Sequence, residues 1–166
     1  KIFVGMNKAL SNSVQVVTLH PDGSGSFADA VDRAVSVEHV VPLDSKDLAS
    51  IVYTSGTTGP SKGAMLTHGN LASNALTLNE FWGWRSDDVL LHALPIFHVH
   101  GLFVALHCVF LSASSMVFLD SFDPEKCIEQ LAQTTVMMGV PTFYTRLLAR
   151  EDFTKELCAN VRVFIS

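Results

Sequence analysis

From residue 89 onward, short apolar runs alternate with segments of helical pattern, and this alternation constrains the fold more than any other feature. The apolar runs predict strands, and the segments between them predict helices. Predicted strands cover residues 89–94, 115–119, 135–140 and 161–166, and predicted helices cover residues 102–111, 123–133 and 141–150. Asp123 is a favoured N-cap before Pro124, and Pro141 suits the first position of another helix. The alternation predicts an α/β fold with a parallel or mostly parallel sheet, flanking helices and right-handed crossovers.

The first half of the chain adds two predicted strands and two predicted helices. Residues 14–19 and 48–53 are rich in apolar and β-branched side chains, which predicts strands, the second of them buried. Residues 27–35 have helical spacing, and Thr67 is a natural N-cap for a helix over residues 68–82. We expect the strand at 48–53 to end, like the others, at the ligand-binding edge of the parallel sheet.

Composition narrows the class of protein. Charged residues make up 16% of the chain, against roughly 25% in a typical soluble domain. That value indicates a piece from the interior of a larger domain. The net charge is −5 and no basic run occurs, which argues against nucleic acid or an anionic membrane as a partner. Three widely spaced cysteines without a CxxC pair are typical of reduced thiols, so we predict a cytoplasmic protein.

Residues 89–119 contain no Asp, Glu, Lys or Arg, and the run is longer than the ~18 residues that nominate a membrane helix. Pro95, Gly101 and four histidines interrupt it. We therefore predict a strand, a loop, a buried helix and a second strand here, and no membrane span. No feature of the sequence predicts an oligomeric state.

Residues 53–63 read Tyr-Thr-Ser-Gly-Thr-Thr-Gly-Pro-Ser-Lys-Gly and follow a predicted strand. Glycines let a backbone approach an anion closely, while amides, hydroxyls and one lysine supply donors and positive charge. The spacing differs from that of the common P-loop, which requires Gly, four residues and then Gly-Lys-Ser/Thr. We interpret residues 54–63 as a phosphate loop; the alternative is a flexible connection.

Residues 94–102 form a second informative stretch, with two histidines and a phenylalanine between a proline and a glycine. Histidine can hydrogen-bond a carboxylate near neutral pH, so His98 is a candidate for binding an acid. A metal site made by His98 and His100 is an alternative, although no Cys or carboxylate partner is near in sequence. We interpret His92 and His107 as structural residues.

Residues 54–63 resemble the phosphate-loop signature of the adenylate-forming superfamily, which includes acyl-CoA synthetases, luciferases and peptide-synthetase adenylation domains. Residues 91–98 (Leu-His-Ala-Leu-Pro-Ile-Phe-His) and 139–148 (Gly-Val-Pro-Thr-Phe-Tyr-Thr-Arg-Leu-Leu) are similar to the malonyl-CoA synthetase group within it. Residues 100–102 also resemble oxalyl-CoA synthetases. The likeness covers residues 47–166 well and residues 1–46 only loosely.

The resemblance implies a ligase that joins a small dicarboxylate, such as malonate, to CoA with ATP and Mg²⁺. It implies that His98 binds the substrate and, with Lys62, takes part in catalysis, and that Thr54 contacts the metal. Arg146 is the candidate for a second substrate carboxylate, because arginine is always charged; its alternative is a surface helix arginine. The implied cofactor-binding residues are Thr54, Ser55, Gly56, Thr57, Thr58, Gly59 and Lys62.

The resemblance further implies that residues 1–166 are part of the large N-terminal, AMP-binding domain, truncated at both ends. We expect the adenine pocket, a malonate-binding arginine and a mobile domain with a catalytic lysine to lie past Ser166. The isolated chain is then expected to form no acyl-CoA and to act at most as a non-catalytic phosphate-binding fragment. Pro60 departs from the pattern, since close relatives often have arginine there.

Overall fold

The structure is a computed structural model that describes residues 17–54 and 61–166, with Thr54 described by its backbone. The chain divides into two compact units, Lys1–Pro42 and Leu43–Ser166. In the described part of the first unit, α1 (Ser26–Arg33) confirms the predicted helix. The strand predicted at 14–19 is wrong over residues 17–19, which are coil, and its first three residues lie outside the described range. The backbone of Thr18 instead bonds the start of α1, accepting from Phe27 N at 3.0 Å and donating to Ser26 Oγ at 2.9 Å.

The second unit contains a parallel sheet of four strands, all shorter than predicted. They are β3 (Val89–His92), β4 (Ser115–Phe118), β5 (Val136–Met138) and β6 (Val163–Ile165). Their order in the sheet is β4-β3-β5-β6, which confirms the predicted fold class. In register, Leu90 of β3 lies opposite Met116 of β4 and Val136 of β5, and Val136 lies opposite Val163 of β6.

Helices cover both faces of this sheet. They are α2 (His68–Phe81), α3 (Leu106–Ser112), α4 (Pro124–Leu131) and α5 (Pro141–Leu148). Successive strand residues point to opposite faces. Leu90 therefore packs with Val109 of α3 in one buried cluster, and Leu91 packs with Leu131 of α4 in another. A sheet buried on both faces explains why its strands are apolar throughout rather than alternating.

Local capping signals place the helix starts as predicted. Thr67 Oγ1 accepts a hydrogen bond from Asn70 N at 3.1 Å, and Thr67 N donates to Asn70 Oδ1 at 3.0 Å. Asp123 accepts from Glu125 N at 2.9 Å, and Pro124 is the first residue of α4. These bonds satisfy amides that have no partner inside their helix.

The strand before the phosphate loop differs from its prediction in two ways. β1 (Leu48–Thr54) pairs with β2 (Lys62–Thr67) in a separate antiparallel sheet, so it is not part of the parallel sheet. It is also not buried, because Leu48, Ile51 and Tyr53 are about half or more exposed. β2 has no predicted counterpart, since Lys, Gly and Ala have low strand propensity and only pairing with β1 selects that conformation.

The helix predicted at 102–111 also differs from the observed structure. A π-helical segment, His100–Ala105, precedes α3. Only one face of the resulting helix is buried, with Cys108 and Val109 inside and Phe110 67% exposed. Within the described ranges, no helix is both long and apolar enough to cross a bilayer.

A buried polar network ties together the edge where the parallel strands begin, called here the amino edge. Arg162 Nε donates to Asp88 Oδ1 at 2.8 Å, and Arg162 Nη2 also bonds that carboxylate. Thr135 Oγ1 donates to Oδ1 at 2.7 Å, and Arg85 N donates to Oδ2 at 2.8 Å. Burial alone would raise the pKa of Asp88, but these hydrogen bonds hold it below its usual value.

Candidate functional site

The β1–β2 hairpin closes the predicted phosphate loop at its base. Thr54 is the last residue of β1 and pairs in register with Lys62, the first residue of β2. Lys62 is therefore held at the hairpin end, with an exposed side chain. The loop residues Ser55, Gly56, Thr57, Thr58 and Gly59 lie outside the described residues, as does the side chain of Thr54. Their predicted contacts with phosphates and metal stay predictions.

Gly63 has a packing role within this hairpin. It lies opposite Tyr53 in the register, and an added Cβ would meet Ile51 Cγ2 at 2.7 Å and the Tyr53 ring at 3.5 Å. A side chain at residue 63 would thus displace Ile51, while its contact with the Tyr53 ring would be an ordinary one. Side-chain packing therefore gives one reason for a glycine at residue 63, the last position of the motif. A close approach of the backbone to a phosphate would be a second reason.

His98 lies in the loop that follows β3, residues 93–99, called here the His98 loop. Its amide donates to Pro95 O at 3.1 Å, which makes a tight turn, and its carbonyl accepts from Leu102 N at 2.9 Å. The backbone of His98 is thus fixed on both sides, while its side chain is exposed. The ring of Phe97 is 5.0 Å from the His98 ring, centroid to centroid.

Two cavities meet at His98. One, of about 260 Å³, separates β1 from the His98 loop and the π-helical segment. The other, of about 330 Å³, lies where the parallel strands end, called here the carboxyl edge. The first is lined by Ser50, Ile51, Val52, Tyr53, Phe97, His98, Val99, Leu102 and Phe103, and the second by Leu94, Pro95, His98, Val99, His100, Gly101 and Val140. One imidazole therefore borders both the phosphate-loop hairpin and the carboxyl edge of the sheet.

Behind His98, two further histidines are less accessible. His92 is fully buried at the end of β3, and burial lowers its pKa. Burial also lowers the pKa of His100, and the neighbouring His92 lowers it further. Burial thus disfavours the charged form of both imidazoles, whereas the ring of His98 is exposed and can contact a ligand. His107 is partly buried on α3 with its ring 5.6 Å from that of Phe103.

Arg146 lies elsewhere in the fold. Its guanidinium carbon is 5.0 Å above the ring of Phe122, which stacks on Phe143 with centroids 3.8 Å apart. This geometry is a cation–π contact between α5 and the segment before α4. Arg146 lines neither of the cavities at His98, so the structure does not bring these two predicted substrate residues together.

Among the residues that the structure describes, no three His, Cys, Asp or Glu side chains are close enough to hold a metal ion. The alternative of a metal between His98 and His100 finds no third ligand there. The chemistry of the described site is that of an exposed imidazole beside a strand hairpin whose end carries a lysine. Such groups suit anions.

The sequence predicts His98 and Lys62 as site residues, and the structure adds Tyr53 and Gly101 to the lining of the two cavities at His98. Gly101 is buried, and a Cβ on it would lie 2.4 Å from Pro95 O. A glycine directly after a histidine-rich loop was the available signal, since it often marks a close approach of two backbone segments.

The chain matches the family model described as "AMP-binding enzyme" over residues 5–166. It is 36% identical over 134 residues to a mitochondrial malonate–CoA ligase of Homo sapiens, covering 71% of this chain and 23% of the relative. It also resembles the crystal structure of ATP-bound MatB from Rhodopseudomonas palustris, with a TM-score of 0.89 and 51% identity over 97% of this chain and 32% of that one. A malonyl-CoA ligase ternary product complex with methylmalonyl-CoA and AMP gives a TM-score of 0.74 and 33% identity over 96% of this chain and 37% of that one.

The chain thus spans about a quarter to a third of the length of these relatives. Their likeness confirms the fold predicted from the resemblance to adenylate-forming enzymes. Since the family model covers nearly all of the sequence, this chain belongs to the AMP-binding enzyme family.

Proposed function

We propose that this chain supplies the acid- and phosphate-binding part of an ATP-dependent ligase that joins malonate to CoA. The observation that carries the proposal is the position of His98, which borders one cavity facing the phosphate-loop hairpin and another at the carboxyl edge. Acid activation by ATP requires a carboxylate to be held next to the triphosphate, and a histidine between the two regions meets that need.

The reaction has two steps. A malonate carboxylate oxygen attacks the α-phosphorus of ATP, which forms the acyl-adenylate and releases pyrophosphate. The CoA sulfur then attacks the acyl carbon, which forms the thioester and releases AMP. ATP, CoA and malonate are thus the small-molecule partners, and Mg²⁺ screens the charge of the phosphates.

In this scheme the described residues have distinct tasks. His98 donates a hydrogen bond to the attacking carboxylate and keeps it in line with the α-phosphorus, since orientation of reactants lowers the barrier. Lys62, at the base of the phosphate loop, stabilises the negative charge that develops on departing pyrophosphate. The contacts that the resemblance implies for the Thr54 hydroxyl and for residues 55–59 involve groups outside the described residues and stay predictions. Arg146 is retained as a candidate for the second carboxylate, and an arginine elsewhere in the full protein is the alternative.

Malonate is favoured because two of the similar proteins are named for malonate or malonyl-CoA. We retain the cytoplasm as the predicted location on the basis of the free cysteines Cys108, Cys127 and Cys158, although the human relative is described as mitochondrial.

The test is acid-dependent exchange of labelled pyrophosphate into ATP, measured with the full protein that contains this chain. Malonate should support exchange at a higher kcat/KM than methylmalonate, oxalate or acetate. Exchange with oxalate above that with malonate would favour the oxalyl-CoA alternative. Exchange with none of these acids would reject the activity.

A further inference from the structure

His92 makes one specific hydrogen bond inside the core. Its Nε2 is 3.0 Å from the carbonyl oxygen of Gly101, nine residues later in the chain. A carbonyl oxygen only accepts hydrogen bonds, so Nε2 carries the proton and donates. The ring is fixed further by Phe118 of the neighbouring strand, with centroids 5.0 Å apart. A rigid element of the sheet thus reaches the segment that follows the His98 loop.

Gly101 is held from a second side as well. Its Cα approaches the His98 loop so closely that a Cβ would lie 2.4 Å from Pro95 O and 3.3 Å from Leu94 Cβ. The same Pro95 oxygen accepts the hydrogen bond from His98 N at 3.1 Å. A shift of Gly101 would therefore displace the turn that carries His98.

The bond falls inside the π-helical segment His100–Ala105, which follows directly after the His98 loop. Single π-helical turns are rare and are frequent at functional sites. The hydrogen bond from His92 ties this one to β3. Leu102 N also bonds His98 O at 2.9 Å, which couples this segment to His98 itself.

The surroundings of His92 favour a neutral ring that donates one hydrogen bond, from Nε2 to Gly101 O. Its Nδ1 has no hydrogen-bond partner among the described residues, and the side chain is fully buried. Burial lowers the pKa of His92, while the bond to Gly101 opposes that effect only in part. The neutral ring with hydrogen on Nε2 leaves no buried donor unpaired, whereas the charged ring would add an unpaired N–H at Nδ1.

We propose that His92 is a positioning residue for the acid substrate: its hydrogen bond to Gly101 O sets the π-helical turn and thereby orients His98 toward the carboxylate. This inference rests on the proposed function of His98. It assigns His92 a task beyond core packing, namely to couple β3 to the turn that carries the exposed side chain of His98.

The experiment compares three variants of the full protein with the wild type. His92→Leu removes the donor and introduces no new polar group, and His92→Gln returns an N–H donor near the position of Nε2. His107→Leu is the matched control, because His107 follows the same segment but has no bond to Gly101. Steady-state kinetics for malonate and for ATP are measured together with hydrogen exchange over residues 96–106 and the melting temperature.

For His92→Leu we expect KM for malonate to rise about 5- to 50-fold, as befits a buried carbonyl left without its donor, with KM for ATP changed less than about twofold. Hydrogen exchange over residues 96–106 should become faster. His92→Gln should return malonate KM to within about threefold of wild type and slow the exchange again. His107→Leu should leave all three quantities unchanged.

Three results would overturn the inference. They are a folded His92→Leu protein with wild-type malonate KM, a His92→Gln protein no better than His92→Leu, and an equal loss for malonate and ATP in step with a lower melting temperature. Each presupposes an active wild type. A wild type without malonate-dependent exchange would instead reject the proposed function, and this inference with it.

Discussion

The two edges of the parallel sheet differ in how their polar groups are satisfied. At the amino edge, the buried Asp88 carboxylate accepts bonds from Arg162, Thr135 and the Arg85 amide. At the carboxyl edge, His98 and Phe97 are exposed, and the buried His92 keeps one ring nitrogen without a partner among the described residues. At the amino edge of the sheet the hydrogen-bonding groups of Asp88 are therefore paired. At the carboxyl edge, exposed side chains remain accessible to a ligand.

This difference separates stability from function. Buried charges that are fully paired lock elements together, and removal of one partner leaves an uncompensated charge. Exposed groups above the strand ends contribute little to stability and are free to bind ligands. Substitutions at the amino edge should therefore lower the free energy of unfolding, whereas substitutions at the carboxyl edge should change kinetics.

The largest expected effect is that of Asp88→Ala on stability. The substitution leaves the Arg162 guanidinium beside a sheet edge without its carboxylate, and such a loss typically costs about 3–5 kcal/mol. Urea unfolding of the full protein measures it. Asp87→Ala is the matched control, because the Asp87–Arg85 pair is exposed and should contribute about 0–1 kcal/mol. Equal effects of the two substitutions would contradict the assigned role of the amino edge.

The pH dependence of stability follows from the same network. Since the pKa of Asp88 is lower in the folded state, its contribution is complete above about pH 4, the ordinary Asp range, and is lost as pH falls through the lower folded value. Asp88→Ala should therefore lose less stability than Asp87→Ala between pH 5 and acid pH, as measured by urea unfolding at each pH. Parallel curves for the two variants would argue against this sign.

The next effect in size is that of Lys62→Ala on chemistry. Loss of one charge-assisted donor to a developing anion costs about 2–4 kcal/mol of transition-state stabilisation. The rate of malonate-dependent ATP–pyrophosphate exchange should fall accordingly, with malonate binding less affected. Lys126→Ala, on the exposed side of α4, should leave exchange unchanged. An unchanged rate for Lys62→Ala would rule out its phosphate role.

His98→Ala should have a smaller and more selective effect. A hydrogen bond to a charged group contributes roughly 1.5–3 kcal/mol, so kcat/KM for malonate should fall on the order of ten- to a hundredfold, with KM for ATP nearly constant. Steady-state kinetics of the full protein measure both, with His107→Ala as the control. Intact malonate kinetics combined with a lower melting temperature would make His98 a packing residue.

The smallest expected effect is that of Tyr144→Phe on the free energy of unfolding. It tests whether a side chain at the carboxyl edge also stabilises the fold. Tyr144 donates its hydroxyl hydrogen to Ile165 O at 2.5 Å, and burial raises its pKa to about 12. Tyr144→Phe should cost about 0.5–1.5 kcal/mol in urea unfolding, the usual net value of one neutral hydrogen bond, without changing malonate KM. A change in KM without loss of stability would extend the functional region to β6.

Local sequence patterns were sufficient to predict much of the secondary structure and the fold class of this protein. The N-caps Thr67 and Asp123 act on amides within three residues, so their helices begin where the sequence predicts. The alternation of strands and helices was sufficient for the parallel sheet, because a short crossover leaves few topologies. The phosphate-loop motif and the histidine loop resemble a known family, and that resemblance was sufficient for the family; the role of His98 that it implies stays a prediction.

Tertiary structure decided what depends on partners distant in the chain. β1 is not part of the parallel sheet, because it pairs instead with β2 on the other side of the phosphate loop. The low strand propensity of the β2 residues gave no sign of that pairing. The carboxylate of Asp88 accepts a hydrogen bond from Arg162, 74 residues away in sequence. The guanidinium of Arg146 lies over the ring of Phe122 in a cation–π contact. The role proposed for His92 likewise rests on its contact with Gly101, nine residues later in the chain. Hydrogen bonds and ion pairs of this kind form only when the fold brings both partners together. A local sequence pattern therefore does not predict which distant residue will be the partner.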